Sequence, residues 1–386
     1  MGKGEKKTTP SPRCCGEARF VSQFGRFAAE RRCIPAQAGA VTSIAAACSS
    51  NRSEGAFTIV TVVDGKGATV WNAATRTGSL GDQPKATLPA VGGAASLVVA
   101  PEADGGAPVA LVAPHANGGT AVWSLATGEP SVTHGVEGTR RHAAAATDGA
   151  APLAAVMPDG ATCVAVVPGE GSPRAYGEHG PLAGCDEAAG SGHVGAVTAL
   201  VASPAGANPC VATGGADGGI RLWKVDQAGT NLSFRGEYTG AGAAHDDAVV
   251  AMTVSPDGSI LCSADAGGAV KLWDITASEE DAPKFLYQLP RITEWVPEGE
   301  PAKPNDERVV GVSFNPMRYW SCVATDKSVE IVDLETKQFV EQITLSAWGD
   351  VTISAQCWSN DGHSLLLGLS DGRVHTVDVE GYLCYD

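Results

Sequence analysis

The chain has 386 residues, of which 44% are hydrophobic and 18% charged, so it can build a large core and wholesale disorder is excluded. No apolar run approaches the roughly 20 residues of a membrane-spanning helix, so we expect no membrane span. The net charge of −16 argues against nucleic-acid binding by the whole surface.

Basic residues are concentrated at the N-terminus. Residues 1–35 contain eight Lys and Arg and three Asp and Glu, a local net charge of +5 on an otherwise acidic chain. We predict that residues 1–19 form a basic, flexible extension. Its composition fits a solubilising tail and an arm that binds RNA phosphates equally well. Whether Cys14 and Cys15 in this extension are lipidated is left open by the sequence.

The next predicted element is a strand within residues 20–32. It precedes the apolar run at residues 41–47, which we predict to be the inner strand of the first of several repeat units. The last unit, near the C-terminus, lacks a fourth strand of its own. We predict that the strand at residues 20–32 supplies it, which would join the two ends of the fold and remove an exposed sheet edge.

Three later segments are variants of one pattern, at residues 193–225, 245–275 and 353–379. Each contains an apolar strand, a turn, a short strand, a Gly/Asp turn and a third strand. Apolar residues alternate with period two at Val197, Ala199 and Val201, which is typical of a strand rather than a helix.

The third strands carry a large apolar residue at one recurring position, in order Trp71, Trp123, Trp223, Trp273, Val332 and Val377. The step from Trp123 to Trp223 is twice the others, and we predict that residues 163–169 supply the missing third strand. The interval of 306 residues from Trp71 to Val377 then makes six steps that average 51 residues. Repeats of this kind predict an all-β fold, a seven-bladed WD-repeat β-propeller over residues 20–386.

Two units carry polar residues that match the buried, hydrogen-bonded tetrad of WD-repeat propellers. One unit fills all four positions, with His193, Thr213, Asp217 and Trp223. The next has His245, Ser263 and Trp273, with Gly267 at the carboxylate position, and the first unit has Gln37 in place of the histidine. Hydroxyl, imidazole and carboxylate groups together also suggest hydrolysis. A set that repeats once per unit instead indicates strand bracing, so we predict a structural role and no catalysis.

Other catalytic signatures are absent from the sequence, including a P-loop, G-x-S-x-G, H-E-x-x-H and an EF-hand. The eleven cysteines are scattered and form no C-x-x-C pair, so neither a zinc site nor a disulfide framework is indicated. We therefore predict a non-enzymatic protein of a reducing, intracellular compartment, with no metal, no cofactor and no small-molecule substrate.

One stretch is more specific than a generic repeat. Residues 308–343 resemble the sixth blade of the receptor for activated C kinase family, in which an F-S-P-N-R-Y-W segment precedes a W-D-L-E ending. The match is carried by Phe314, Pro316, Arg318, Tyr319, Trp320, Asp333, Leu334 and Glu335. The resemblance is clear over residues 245–380 and generic over residues 38–240.

The resemblance implies a scaffold at the head of the small ribosomal subunit, near the messenger RNA exit, where it binds 18S-type RNA and ribosomal proteins and recruits protein kinases and translation factors. The family docks through an Arg-Asp-Lys turn in its first blade. The corresponding residues are Asp64, Gly65 and Lys66, so only the lysine is retained. Tyr287 aligns with a tyrosine that kinases modify in this family, and the alternative, which general propeller architecture favours, is an ordinary aromatic residue of an outer strand. The segment at 290–307 departs from the family pattern.

We therefore predict a divergent, cytoplasmic and ribosome-associated member of this family. Because the body is acidic, RNA contacts should be concentrated on the few basic elements near the first blade, namely Lys66, Arg31, Arg32, Lys3, Lys6 and Lys7. The alternative is a WD-repeat adaptor free in the cytoplasm, such as a G-protein-β-like protein or a ubiquitin-ligase substrate receptor. Sedimentation of a cell extract distinguishes the two.

Overall fold

Short apolar runs between glycine-rich turns form β-strands along the whole chain. The computed structural model describes residues 18–22, 27–34, 37–48, 57–63, 67–73, 84, 86–87, 96–100, 109–114, 120–123, 130–134, 153–156, 163–166, 174–177, 180–181, 185–186, 192–203, 210–225, 232–238, 245–276, 284–289, 307–347, 351–359 and 362–379. Every regular element in these ranges is a strand. They contain no helix long and apolar enough to cross a membrane.

The strands of the N-terminal half are mostly short. They are β1 (Ala18–Ser22), β2 (Phe27–Ile34), β3 (Val41–Cys48), β4 (Phe57–Val63), β5 (Gly67–Ala73), β6 (Ala86–Thr87), β7 (Ser96–Ala100), β8 (Val109–Pro114), β9 (Thr120–Trp123), β10 (Pro130–His134), β11 (Leu153–Val156), β12 (Cys163–Val166), β13 (Arg174–Gly177), β14 (Gly180–Pro181) and β15 (Cys185–Asp186).

The strands of the C-terminal half are more regular, most of them six residues long. They are β16 (Val197–Ala202), β17 (Cys210–Gly215), β18 (Ile220–Val225), β19 (Leu232–Glu237), β20 (Val249–Val254), β21 (Ile260–Asp265), β22 (Val270–Asp274), β23 (Lys284–Leu289), β24 (Val309–Phe314), β25 (Trp320–Thr325), β26 (Ser328–Asp333), β27 (Gln338–Ala347), β28 (Ile353–Trp358), β29 (Ser364–Leu369) and β30 (Val374–Val379).

Within the described residues, these strands form seven sheets, which we number in chain order by their first strands: β3–β6, β7–β10, β11–β14, β16–β19, β20–β23, β24–β27 and β28–β30. The first strand of each sheet contacts the first strand of the next, and β28 of sheet seven contacts β3 of sheet one. The sheets therefore follow one another around a closed ring. This arrangement is a β-propeller, as the sequence predicts.

Hydroxyl groups join the inner strands of neighbouring sheets. The Oγ1 of Thr198 in β16 donates to the carbonyl oxygen of Val249 in β20. In the same way, the Oγ of Ser354 in β28 donates to the carbonyl oxygen of Val41 in β3, at 2.7 Å. The second bond connects the last sheet to the first and therefore helps to close the ring.

The N-terminal residues add strands to two sheets. β2 pairs antiparallel with β30, with Phe27 opposite Val379 and Ile34 opposite Val374, and it is the fourth strand of sheet seven. Residues 20–22 do not share this position: they belong to β1, which pairs with β27 as a fifth strand of sheet six. The sequence-based boundary at residue 19 therefore falls inside β1. Two separate strands form where the sequence predicts one.

Sheet three also differs from the prediction. Residues 163–169 are expected to contain its third strand, but β12 (Cys163–Val166) is the second strand of the sheet and pairs with both β11 and β13. The third strand is β13 (Arg174–Gly177), which lies 51 residues after Trp123 at its first residue. This strand carries no tryptophan, and the apolar run at β12 is the more conspicuous signal.

Apolar side chains fill the spaces between neighbouring sheets. One cluster joins sheets six and seven, through Ile331 and Ile343 on one side and Leu367 and Val377 on the other. Comparable clusters join sheets four and five, five and six, and seven and one. The middle strands of sheets four to seven are almost completely buried, as in β17, β21, β25 and β29.

Candidate functional site

The predicted tetrad in sheet four forms a continuous chain of hydrogen bonds. His193 precedes β16, and its Nδ1 lies 2.9 Å from the Oδ1 of Asp217 in the β17–β18 turn. Its Nε2 lies 2.9 Å from the Oγ1 of Thr213, which also accepts a 2.9 Å bond from the Nε1 of Trp223. Thr213 and Trp223 are completely buried. The four side chains therefore tie the connection before the sheet to its second and third strands.

Arg221 extends this tetrad, and the sequence analysis missed it. Its guanidinium contacts Asp217 at 3.1 Å and Glu237 at 3.1 Å, although the side chain is only 6% exposed. Burial alone would raise the pKa of the Asp217 carboxyl, but hydrogen bonds from His193, the Val194 amide and Arg221 lower it. Burial also lowers the pKa of His193. The signal in the sequence is an arginine two positions before the tryptophan of the third strand.

Sheet five contains a complete tetrad with a carboxylate that the sequence comparison misplaced. Gly267 stands at the position that Asp217 occupies in sheet four, but Asp265 at the end of β21 supplies the carboxylate. The Nδ1 of His245 lies 2.8 Å from Asp265 Oδ2, and its Nε2 lies 2.7 Å from Ser263 Oγ. Trp273 Nε1 donates to the same Ser263 oxygen at 2.8 Å.

These groups are arranged for bracing rather than for hydrolysis. The hydroxyl of Ser263 is completely buried and accepts from Trp273. The Nδ1 of His245 faces the Asp265 carboxylate, which can only accept, so in the neutral imidazole Nδ1 holds the ring proton and the Ser263 hydroxyl donates to Nε2. A nucleophile needs access to substrate, and neither Ser263 nor Thr213 has any exposed surface. Within the residues that the structure describes, no cluster of His, Cys, Asp and Glu could hold a metal ion.

Sheet one retains part of the same arrangement. Thr61 donates to the side-chain oxygen of Gln37 at 3.1 Å and accepts from Trp71 Nε1 at 3.0 Å. The Nε2 of Gln37 is buried and has no hydrogen-bond partner in the described part of the chain. Glutamine thus replaces one of the two contacts that a histidine makes in sheets four and five.

The antiparallel order of the strands divides the connections between two faces of the ring. The tetrads lie at one face, with the turns between second and third strands. The turns between first and second strands lie at the opposite face, which we call the hairpin face and define by residues 255–259, 315–319 and 362–363. There Tyr319 donates to Asp257 of the preceding sheet at 3.2 Å, and Asn315 donates to the carbonyl of Gly362 in the following sheet at 2.9 Å.

The segment that carries the family resemblance lies on this hairpin face. Met317 is 67% exposed and Tyr319 is 46% exposed, whereas Trp320 is buried beneath the guanidinium of Arg318, 4.5 Å from its ring centroid. Part of the motif is therefore packed into sheet six and part is presented to solvent.

Tyr287, the candidate phosphorylation site, lies in the outer strand β23. Its hydroxyl oxygen is buried without a hydrogen-bond partner among the described residues. Burial, followed by the nearby Cys262 and Asp333, raises its pKa. The ammonium of Lys337 lies 4.8 Å from the centre of its ring. A kinase would need β23 to move before it could reach this hydroxyl.

The predicted RNA contacts fall largely outside the described residues. Lys3, Lys6, Lys7 and Lys66 lie there, as do residues 290–306 and the Cys14–Cys15 pair. Arg31 and Arg32 lie in β2, the strand that completes sheet seven and leads into sheet one. The structure therefore gives the position of this pair in the ring, next to sheet one.

Comparisons with known proteins agree with this architecture. Residues 182–283 match a family model described as the IP5P C-F beta-propeller. The chain is 31% identical over 203 residues to the small ribosomal subunit protein RACK1y of Oryza sativa subsp. japonica, which covers 52% of each chain. It is 30% identical over 196 residues to the small ribosomal subunit protein RACK1 of Caenorhabditis elegans, covering 48% of this chain and 52% of the relative.

A third relative is the small ribosomal subunit protein RACK1 of Schizosaccharomyces pombe, 34% identical over 141 residues, which cover 35% of this chain and 39% of the relative. The matched part thus spans about half the length of these relatives or less. The family-model match over residues 182–283 agrees with the propeller architecture. Over about half of its length, the chain is similar to RACK1 proteins of the small ribosomal subunit.

Proposed function

We propose that this protein is a non-enzymatic scaffold of the small ribosomal subunit, located in the cytoplasm and associated with ribosomes. The observation that carries the proposal is the similarity to several small-subunit RACK1 proteins, in a chain whose hydroxyl–imidazole–carboxylate groups are buried inside sheets. The ring offers two faces and an outer rim for partners. Protein kinases and translation factors are the partners that the family resemblance suggests.

We also propose that the seven sheets are the seven blades of one WD-repeat propeller. Support comes from the contacts that lead from each inner strand to the next and return from β28 to β3. The hydroxyl bonds of Thr198 and Ser354 occupy equivalent places in sheets four and seven, as expected for repeats of one unit.

The docking surface proposed for ribosomal RNA lies where sheet seven meets sheet one. Arg31 and Arg32 lie in β2, the outer strand of sheet seven and the strand before β3 in the chain, and Lys66 lies in the connection between β4 and β5. The extension with Lys3, Lys6 and Lys7 precedes β1. Each phosphate contact releases counterions, so affinity should fall by roughly 0.7–0.9 log units per contact for each tenfold increase in salt.

A salt series with purified small subunits tests this proposal. A variant that lacks residues 2–17 keeps β1 intact, since β1 begins at Ala18. We expect this deletion and Lys66→Glu each to weaken binding and to reduce the salt dependence. Lys327→Glu is the matched control, because Lys327 is exposed in the β25–β26 turn, away from sheet one. If all three proteins bind as tightly as the wild type, the docking surface lies elsewhere.

The second candidate is an adaptor free in the cytoplasm, G-protein-β-like or a ubiquitin-ligase substrate receptor. The departure from the family's Arg-Asp-Lys turn at Asp64, Gly65 and Lys66 favours it. Failure of the wild-type protein to bind small subunits at low salt would support this candidate.

Phosphorylation of Tyr287 stays a prediction. Because its hydroxyl is buried, we expect labelling by a tyrosine kinase only when β23 separates from β22. Comparing labelling of the native chain with that of the chain in urea measures this requirement. Equal rates in both conditions would contradict it.

A further inference from the structure

The outer strands of sheets four to seven differ in whether another strand pairs with their outer edge. In sheet four β15 lies beside β19, in sheet six β1 lies beside β27, and in sheet seven β2 lies beside β30. In sheet five the outer strand β23 pairs with β22, and none of the described residues pairs with its other edge. Open edges present backbone amides and carbonyls that can pair with another strand.

The exposed edge of β23 is also unusually apolar. Phe285 is 39% exposed and Leu286 is 43% exposed, and both lie next to one another in the strand. Phe285 packs edge-on against buried Trp273, with ring centroids 5.3 Å apart, so this contact holds one side of its ring while the rest is exposed. Soluble proteins usually shorten, charge or cover a strand edge of this kind.

Positive charge flanks the strand although the whole chain has a net charge of −16. Lys284 is exposed at the start of β23. The ammonium of exposed Lys337 lies 4.8 Å from the ring centre of Tyr287. Lys271 lies beneath Phe285 and is only 6% exposed, so the charge that a partner meets comes from Lys284 and Lys337. A partner segment that pairs with β23 and carries carboxylates would therefore be complementary to it in charge.

We propose that the edge of β23 binds an extended, apolar segment with acidic residues from a partner protein, which pairs as a fifth strand of sheet five. Sheet six provides the geometric precedent, since β1 pairs with β27 over five residues, from Ala18 opposite Ala347 to Ser22 opposite Ile343. Strand addition supplies affinity through main-chain hydrogen bonds, and the flanking side chains supply specificity. The site does not depend on attachment to ribosomes.

A fluorescent peptide tests the proposal with the purified full-length chain. The probe is an eight-residue peptide of alternating valine and threonine with a glutamate at each end. Two control peptides replace the glutamates by lysines or the central valine by proline. We expect the glutamate peptide to bind at least about tenfold more tightly than either control, as measured by fluorescence anisotropy. Equal binding of the glutamate and proline peptides would overturn strand pairing.

Matched variants locate the binding site. Leu286→Asp and Lys284→Glu should each lower the affinity for the glutamate peptide by about tenfold or more, because each variant places negative charge on the edge that the negatively charged peptide binds. Met317→Asp makes the same change at an apolar residue that is 67% exposed on the hairpin face, and it should bind as the wild type does. If Leu286→Asp and Met317→Asp weaken binding equally, the edge of β23 is not the site.

Hydrogen exchange on the wild-type chain gives a result that does not depend on any variant folding. Half of the β23 amides face away from β22 in an antiparallel pair. We expect these amides to exchange rapidly in the free chain and slowly with the glutamate peptide bound. Protection in the free chain at low concentration would mean that the chain covers its own edge. Protection that rises with protein concentration would assign the edge to a second copy, and either result overturns the proposal.

Discussion

Sheets four and five and sheets six and seven are braced in different ways at the same position. In sheets four and five a buried hydroxyl links a histidine to a tryptophan, as Ser263 links His245 to Trp273. In sheets six and seven the corresponding third-strand residues are Val332 and Val377, both buried in apolar clusters. The backbone pairing is the same in both regions. Sheet six also has a polar group at the turn between its second and third strands, where Glu307 Oε2 accepts from Thr325 Oγ1 at 2.6 Å and from Ser328 Oγ at 2.7 Å. The tryptophan and its bond to a buried hydroxyl are therefore not required for this backbone pairing.

Truncation of the third-strand residue should lower the free energy of unfolding more in sheet five than in sheet seven. Trp273→Ala removes a fully buried ring and leaves His245 and Ser263 around a cavity, so we expect a loss of about 3–5 kcal/mol in the free energy of unfolding. Val377→Ala removes less volume and no hydrogen bond, and about 1–3 kcal/mol should be lost. Urea denaturation measures both. An equal loss in the two variants would mean that the tetrad adds nothing to packing.

A smaller change isolates the hydrogen bonds. Ser263→Ala leaves the buried Nε1 of Trp273 and the Nε2 of His245 without their shared partner, which should cost about 1–3 kcal/mol. Ser233→Ala is the matched control, because this serine is half-buried in the outer strand β19 and should change stability by less than about 0.5 kcal/mol. If the two variants unfold at the same urea concentration, the bonds in sheet five are not stabilising.

Acid should reduce the contribution of the Asp265 carboxylate in sheet five to the free energy of unfolding. Burial alone would raise the pKa of Asp265, but bonds from His245 and the Ala269 amide lower it in the folded chain. Its stabilising effect is therefore complete above the unfolded value of about 3.9 and is lost as the pH falls through the lower folded value. We expect the stability gap between the wild type and Asp265→Asn to be wide at pH 7 and narrower at pH 3. A gap that does not change with pH would contradict this account.

Removal of a tyrosine hydroxyl, at buried Tyr238 or half-buried Tyr287, gives the smallest expected change in the free energy of unfolding. Tyr238 donates to the carbonyl of Asp274 at 3.3 Å, whereas the Tyr287 hydroxyl has no partner among the described residues. Tyr238→Phe should lose about 0.5–1.5 kcal/mol, and Tyr287→Phe should be neutral or slightly more stable. A clear loss in Tyr287→Phe, seen in the same urea titrations, would show that its hydroxyl has a partner after all.

The repeats in the sequence were sufficient to predict the class of fold, because the average period of 51 residues and the turn residues can be recognised without knowing which strands pair. They also identified His193, Thr213, Asp217 and Trp223 as one group. Asp265 could not be found by alignment, since the carboxylate in sheet five comes from the end of β21 rather than from the turn. Its position depends on how the turn folds around Gly267.

Pairing between distant segments was harder to predict than the strands themselves. The segment at residues 20–32 was expected to form one strand, but it divides between β1 and β2, which pair with different sheets. Strand composition does not encode the identity of the partner strand. The same limit explains sheet three, where the apolar β12 is the second strand and the less apolar β13 is the third.

Sedimentation of a cell extract tests the central claim most directly. The protein is followed across a sucrose gradient at low salt, and again after ribosomes are dissociated into subunits. We predict that it migrates with whole ribosomes and then with the small subunit alone, and that it leaves the subunit as the salt concentration rises. If it remains at the top of the gradient at low salt, it is a free adaptor and not a scaffold of the small ribosomal subunit.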